Sequence, residues 1–218
     1  MKSHKYQVVL LCGPPASGKN TITDYLTASD KKICHFMKHK ISVKSIKIKQ
    51  TSEYIYVDRT RFIELISSGS LIQFHKRYNQ FYGVSLKLIE ENCRADKISI
   101  IHTGRIDDLL ELDFELSPNY KILKILLWAK KDILFKRLES RHSTNHDLLK
   151  KKIGYLDNEL RALHTVNLKK VFDLIIENKN ITNTSEKIKR AIYDGLQPHT
   201  RPNTDGVNKY LKKKTTKD

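Results

Sequence analysis

Gly13, Pro14, Pro15, Ala16, Ser17, Gly18, Lys19, Asn20 and Thr21 stand directly between an apolar run, Val8 to Cys12, and a helix-compatible segment, Ile22 to Leu26. A glycine-rich turn at that junction aims several backbone N–H groups into one concavity, where they can hold phosphate oxygens. Lys19 adds a mobile cation that can reach the outer phosphates. The pattern is G-x-x-x-x-G-K-[ST] in every position but the last, where Asn20 replaces the hydroxyl residue and Thr21 follows. An ordinary Gly/Pro turn is the competing reading. Strand, loop and helix fall in the order the phosphate cradle needs, so the chain is expected to bind a nucleoside triphosphate.

Asn20 changes one part of that chemistry. The hydroxyl after the lysine usually touches Mg²⁺, whereas asparagine offers only a carbonyl oxygen. Magnesium dependence is expected, with Asn20 as the candidate protein ligand and with phosphates and water supplying the rest. The Thr21 hydroxyl is one residue late, yet can bond an α- or β-phosphate.

The elements that must carry this loop alternate between strand-like and helix-like. That predicts an α/β fold with a mainly parallel sheet flanked by helices. Tyr6–Cys12 is apolar without interruption, as a strand covered on both faces would be. A helix is expected from Lys19 to about Ala28, and strands with a bulge or turn over Lys40–Lys49. Asp58 can cap a helix carrying Phe62, Leu65 and Ile66, stopped near Gly69. Leu71–Phe74 reads as a short strand and Ser85 as the cap of a helix bearing Leu86, Leu88 and Ile89. Ile98–Ile101, Ile122–Trp128 and Leu174–Ile176 read as buried strands. Helices are expected at Asp107–Leu112, Asp132–Ser140, Asp147–Leu163 and Ser185–Leu196.

The 218 residues suffice for one sizeable core. No apolar run approaches the roughly 20 residues that span a bilayer, and the short N-terminal apolar segment runs straight into the loop, unlike a signal peptide. Cys12, Cys34 and Cys93 show no C-x-x-C spacing, so neither a zinc site nor a disulfide framework is indicated and a cytoplasmic location is expected. The formal charge of +17 invites a nucleic-acid reading, but no nucleic-acid fold signature accompanies it. Part of the excess lies in residues 197–218, a basic tail expected to be disordered and able to touch nucleic acid non-specifically.

Further motifs resemble the guanylate kinase family of P-loop nucleoside-monophosphate kinases from about residue 6 to residue 196. Glu53-Tyr54-Ile55-Tyr56-Val57, continuing to Phe62, is similar to D-Y-x-F-V-x-x-x-x-F. Gly69 to Phe74 resembles G-E-F-[IL]-E-W, Gln80-Phe81-Tyr82-Gly83 resembles N-Y-Y-G, and Arg137-Leu138-Glu139-Ser140-Arg141 resembles R-L-x-x-R. The resemblance implies an ATP-binding core, an acceptor-binding region at about 41–91 and an arginine-bearing lid at about 137–152. It implies that Lys19, Arg137 and Arg141 act on the transferred phosphoryl, with Lys152 as a third cation. It also implies that Tyr54 and Tyr82 hold the acceptor phosphate, with Lys47 and Lys49 where the family clamps it with arginines.

The guanine-reading positions depart from the family. Gln73 stands for its glutamate, Val84 (beside Ser85) for its hydroxyl residue, and His102 and Gly104 for its aspartates. Gln73 can accept with its oxygen, but its NH₂ would face a donor. A sister group of ribose 1,5-bisphosphate kinases, whose acceptor has no base, is similar at Gly18-Lys19-Asn20-Thr21 and His102-Thr103-Gly104-Arg105. The expectation is therefore ATP- and Mg²⁺-dependent phosphoryl transfer to a small phosphorylated acceptor, GMP or a modified nucleotide first. A base-free sugar phosphate and an inert interaction module are the alternatives.

Overall fold

The computed structural model describes residues 4–42, 53–77 and 79–196. Its strands are β1 (Val8–Cys12), β2 (Ile33–His35), β3 (Lys38–Ile41), β4 (Tyr54–Val57), β5 (Leu71–Arg77), β6 (Gln80–Ser85), β7 (Ile98–Thr103), β8 (Ile122–Trp128) and β9 (Leu174–Glu177). Its helices are α1 (Lys19–Ser29), α2 (Arg59–Ser67), α3 (Leu86–Arg94), α4 (Ile106–Leu116), α5 (Lys131–His142), α6 (His146–His164), α7 (Leu168–Val171) and α8 (Ile181–Asp194).

Five strands make one parallel sheet in the order β2-β7-β1-β8-β9. Alternate side chains of a strand point to opposite faces, and β1 uses both. Val8, Leu10 and Cys12 join Leu109, Leu112, Leu134 and Leu156 of α4, α5 and α6. Val9 and Leu11 join Ile22 and Leu26 of α1 and Ile188 and Ile192 of α8. Every residue of β1 is buried, which explains its unbroken apolar run. Each such leucine or valine contributes about 1.5–3 kcal/mol on burial.

The other four strands form a separate sheet in the order β4-β3-β6-β5. One face packs Ile41, Val57 and Leu71 on Phe62 and Leu65 of α2. Asp58 caps that helix, its carboxylate accepting from the Arg61 N–H at 2.7 Å. The opposite face is polar and aromatic and looks toward the C-terminal ends of the parallel strands.

Several boundaries differ from the sequence expectation. Only Lys40–Ser42 of the expected strand pair at Lys40–Lys49 is described, and β3 begins earlier, at Lys38. Ser85 occupies the cap position of α3 but makes no capping bond there. The last helix begins at Ile181 rather than Ser185, because Asn180 accepts from the Asn183 N–H at 3.0 Å and opens the helix a turn earlier. The short strands β2 and β6 and the single turn α7 carry too few residues to show a period. The expected tail and Lys47 and Lys49 lie outside the described residues. Among the described residues no helix is long and apolar enough to cross a membrane.

Candidate active site

The loop after β1 emerges between β7 and β8, at the carboxyl edge of the parallel sheet, where open α/β sheets bind ligands. A Cβ on Gly13 would lie 2.1 Å from the Leu127 carbonyl oxygen, so only glycine lets the loop pass β8. Ala16 is held at φ 63, a left-handed conformation that costs a non-glycine residue energy and is characteristic of ligand clamps. Gly18 sits at φ 100 immediately before α1. The Ser17 hydroxyl is buried among atoms that give it no partner.

Lys19 Nζ folds back onto its own loop, donating to the carbonyls of Gly13 at 2.5 Å and Pro14 at 3.2 Å. Burial, then the nearby Arg77 and Arg141 cations, lower its pKa to about 7. The lysine is therefore poised to gain a proton and an anionic partner together. Near it the half-buried His102 ring lies 2.7 Å from the Thr23 hydroxyl, with its centroid 4.4 Å from that of His35 and the two rings tilted by 43°. Burial and the neighbouring His35 and Lys19 depress its pKa well below the usual imidazole value, which keeps it neutral.

A cleft of about 240 Å³ opens over the loop and is lined by Lys19, Asn20, Lys38, Tyr54, Tyr82 and Arg141, with Lys152 and Arg77 also on its wall. The polar face of the four-stranded sheet supplies one side. Lys38 pairs in register with Tyr54, Lys40 with Tyr82, and Tyr82 with His75. Tyr54 and Tyr82 have ring centroids 5.6 Å apart, and Lys40 Nζ lies 4.8 Å and 5.4 Å from those rings and 5.6 Å from Tyr56. Burial lowers the pKa of Lys38 to about 8 and raises that of Tyr54. Lys38 and Lys40 were missed from sequence. Their signal was the two-residue spacing of a strand, Lys38 through Ile41, which was too short to separate from the lysine-rich stretch after it.

Helices α5 and α6 supply the other side. Arg141 and Lys152 reach the cleft, and burial followed by the Arg77 and Lys40 charges depresses the Lys152 pKa. Arg137 lies outside that lining. It donates at 3.2 Å to the Ala16 carbonyl and at 3.2 Å to the Asn178 carbonyl, tying the loop crest to the turn after β9. Asn178 in turn donates at 2.8 Å to the Ser17 carbonyl.

Asn20 and Glu53 are hydrogen-bonded side chain to side chain. They bring hard oxygen atoms to the mouth of the loop, the donor type magnesium favours. No cluster of three His, Cys, Asp or Glu residues among the described residues could cage a metal by itself. The donor set fits an ion held mainly by phosphates and water.

Gln73 does not reach the cleft. It is buried, and its amide donates at 2.7 Å to the Asp108 carbonyl and at 2.7 Å to the Glu111 carboxylate of α4. The reason is local: β5 docks against α4 at that residue, and the strand's cleft-facing positions are the next two in phase, His75 and Arg77.

A family model described as guanylate kinase matches residues 5–195. A guanylate kinase of Helicobacter hepaticus is 23% identical over 193 residues, covering 84% of this chain and 87% of the relative. One from Malacoplasma penetrans is 23% identical over 204 residues, covering 88% and 95%. The crystal structure of guanylate kinase from Anaplasma phagocytophilum superposes with a TM-score of 0.60 at 17% identity, covering 99% of this chain and 97% of that one, which shows a shared fold.

Proposed function

The chain belongs to the guanylate kinase family, a family of P-loop phosphotransferases, and we propose that it moves the γ-phosphoryl group of ATP onto the phosphate of a small phosphorylated acceptor. GMP is the first acceptor to test, because the relatives are guanylate kinases. One observation carries the reading: the phosphate loop with Lys19 and the adjacent Tyr54 and Tyr82 line one cleft, with Arg141 and Lys152 on its wall.

Phosphoryl transfer asks a protein mainly for alignment and positive charge around the moving group. The backbone N–H groups of Gly13, Ala16 and Gly18 to Thr21 hold the triphosphate, the two prolines having none to offer, and Lys19 leaves the Gly13 and Pro14 carbonyls for the outer phosphates. The hydroxyls of Tyr54 and Tyr82 and the Lys40 ammonium hold the acceptor phosphate. The bond from the γ-phosphorus to the β-phosphate oxygen breaks, a bond to an acceptor phosphate oxygen forms, and ADP departs. Arg141 and Lys152 offset the charge on the group in transit. Arg137 holds the loop crest in place and can turn onto the nucleotide. Asn20 and Glu53 would stand at the edge of a magnesium ion held mainly by the phosphates, and the ion would supply charge neutralisation to the transferred group.

Release of ADP from Mg·ATP on adding GMP tests this. Acceptor-dependent turnover that is lost in Lys19→Ala is expected. ADP formation at the same rate with and without any acceptor would contradict it.

A further inference from the structure

Beyond the tyrosines the cleft continues along β5 to groups that holding one phosphate does not require. Arg77 lies on the same strand face as His75, two residues or about 7 Å past the position paired with Tyr82. Its guanidinium lies directly over the backbone of Gly104 at the end of β7. A Cβ at Gly104 would fall 1.6 Å from Arg77 Nη1, so a side chain at 104 and the guanidinium exclude each other. Arg77 also forms an ion pair with Glu159 of α6. It lines both the phosphoryl cleft and a second chamber of about 440 Å³, whose walls include Arg105, Tyr155 and Asn158.

This end of the cleft is donor-rich. Lys38 stands with Arg77, and lysine and arginine have no acceptor to offer an N–H edge. Arg77 is among the groups that disfavour the charged forms of Lys19, Lys38 and Lys152. Glu53 is at the far end of the cleft on Asn20, and of the two carboxylates lining the adjoining chamber, Asp107 and Glu159, the second is committed to Arg77. Two neighbouring cations, one of them a guanidinium able to make a forked contact, are matched to an anion.

We propose that Arg77 is a specificity-determining residue that favours acceptors bearing a second anionic group, a phosphate or carboxylate, remote from the accepting phosphate. The proposal rests on the phosphoryl-transfer reading and names the acceptor class for it. The second anion shares the Arg77 guanidinium with Glu159, so the acceptor links β5 to α6 across the cleft. Gly104 is the residue that leaves room for this arrangement.

The test compares ribose 5-phosphate with ribose 1,5-bisphosphate, which differ by one phosphate, with GMP as reference. ADP release is followed with the full chain and Mg·ATP. In the wild type, kcat/KM for the bisphosphate is expected to exceed that for the monophosphate by about 100-fold, the scale of one charge-assisted bidentate contact. Arg77→Met is expected to reduce the ratio to within about 3-fold while Mg·ATP still binds by calorimetry; any change in ATP binding caused by the lost charge near Lys19 applies to both sugars and leaves the ratio untouched. Arg77→Lys should retain about a tenth of the preference, having lost the fork. If Arg77→Met does not fold, Glu159→Gln serves instead. It keeps Arg77, and the preference should persist with a lower KM for the bisphosphate. A ratio near one in the wild type, a ratio untouched by Arg77→Met, or a preference abolished by Glu159→Gln overturns the inference. Turnover of GMP with the bisphosphate ignored overturns it while leaving phosphoryl transfer intact. Absence of Mg·ATP uptake overturns both.

Discussion

Tyr54 and Tyr82 stand 5.6 Å apart, ring to ring, although their strands do not touch: β3 lies between them and lifts Lys40 Nζ over both rings. In the proposed reaction the two hydroxyls seat the acceptor phosphate, with the Lys40 charge over their rings. Tyr54→Phe and Tyr82→Phe are each expected to raise the acceptor KM about 10-fold or more, since a hydrogen bond to a charged group is worth about 1.5–3 kcal/mol. The Kd for Mg·ATP should not move. Steady-state kinetics with varied acceptor, paired with calorimetry on ATP, checks both halves.

Lys19 links nucleotide binding to pH. With its pKa lowered to about 7 by burial and by the Arg77 and Arg141 charges, the ligand-free lysine loses its proton as pH rises through 7. Triphosphate restores the charge, so binding above pH 7 takes up a proton. Calorimetry at pH 8 in buffers of different ionisation enthalpy should show that uptake, and Lys19→Met should remove it.

The same shift affects stability, with a definite sign. Between about pH 7 and the ordinary lysine range the unfolded chain holds a proton that folded Lys19 does not, so unfolding becomes less favourable as pH rises. Lys38, lowered to about 8 by burial, acts in the same direction over a narrower window. The ligand-free wild type is expected to gain Tm between pH 7 and 9 relative to Lys19→Met measured alongside it.

Gly13 is a backbone requirement. With the Leu127 carbonyl oxygen 2.1 Å from where its Cβ would lie, Gly13→Ala must displace either the loop or β8. Loss of Mg·ATP binding is expected together with destabilisation of about 2 kcal/mol or more, read by calorimetry and by denaturant unfolding.

Much of this was legible in the residues. Val8–Cys12 could only be a strand covered on both faces, and Asp58 with Phe62 and Leu65 fixed α2 and its buried side. Tyr54 and Tyr82 were named from motifs, and β3 brings their rings together. Lys38 and Lys40 were not named because only strand pairing sets them beside Tyr54 and Tyr82, and Arg77 was not named because the expected strand ended at Phe74 whereas β5 runs on to Arg77. Gln73 illustrates the converse. Its motif position marked it for the acceptor, but docking of β5 on α4 committed its amide to Asp108 and Glu111. No periodicity in a single chain reports contacts between elements that far apart.

The central claim is that one cleft aligns a nucleoside triphosphate with an acceptor phosphate. Phosphorus NMR of the reaction of Mg·ATP with GMP and with phosphorylated sugars follows that transfer atom by atom. The account predicts ADP together with a new acid anhydride signal on an acceptor phosphate, dependent on Lys19 and Arg141. ATP that binds tightly yet yields no such anhydride with any of these acceptors would contradict it.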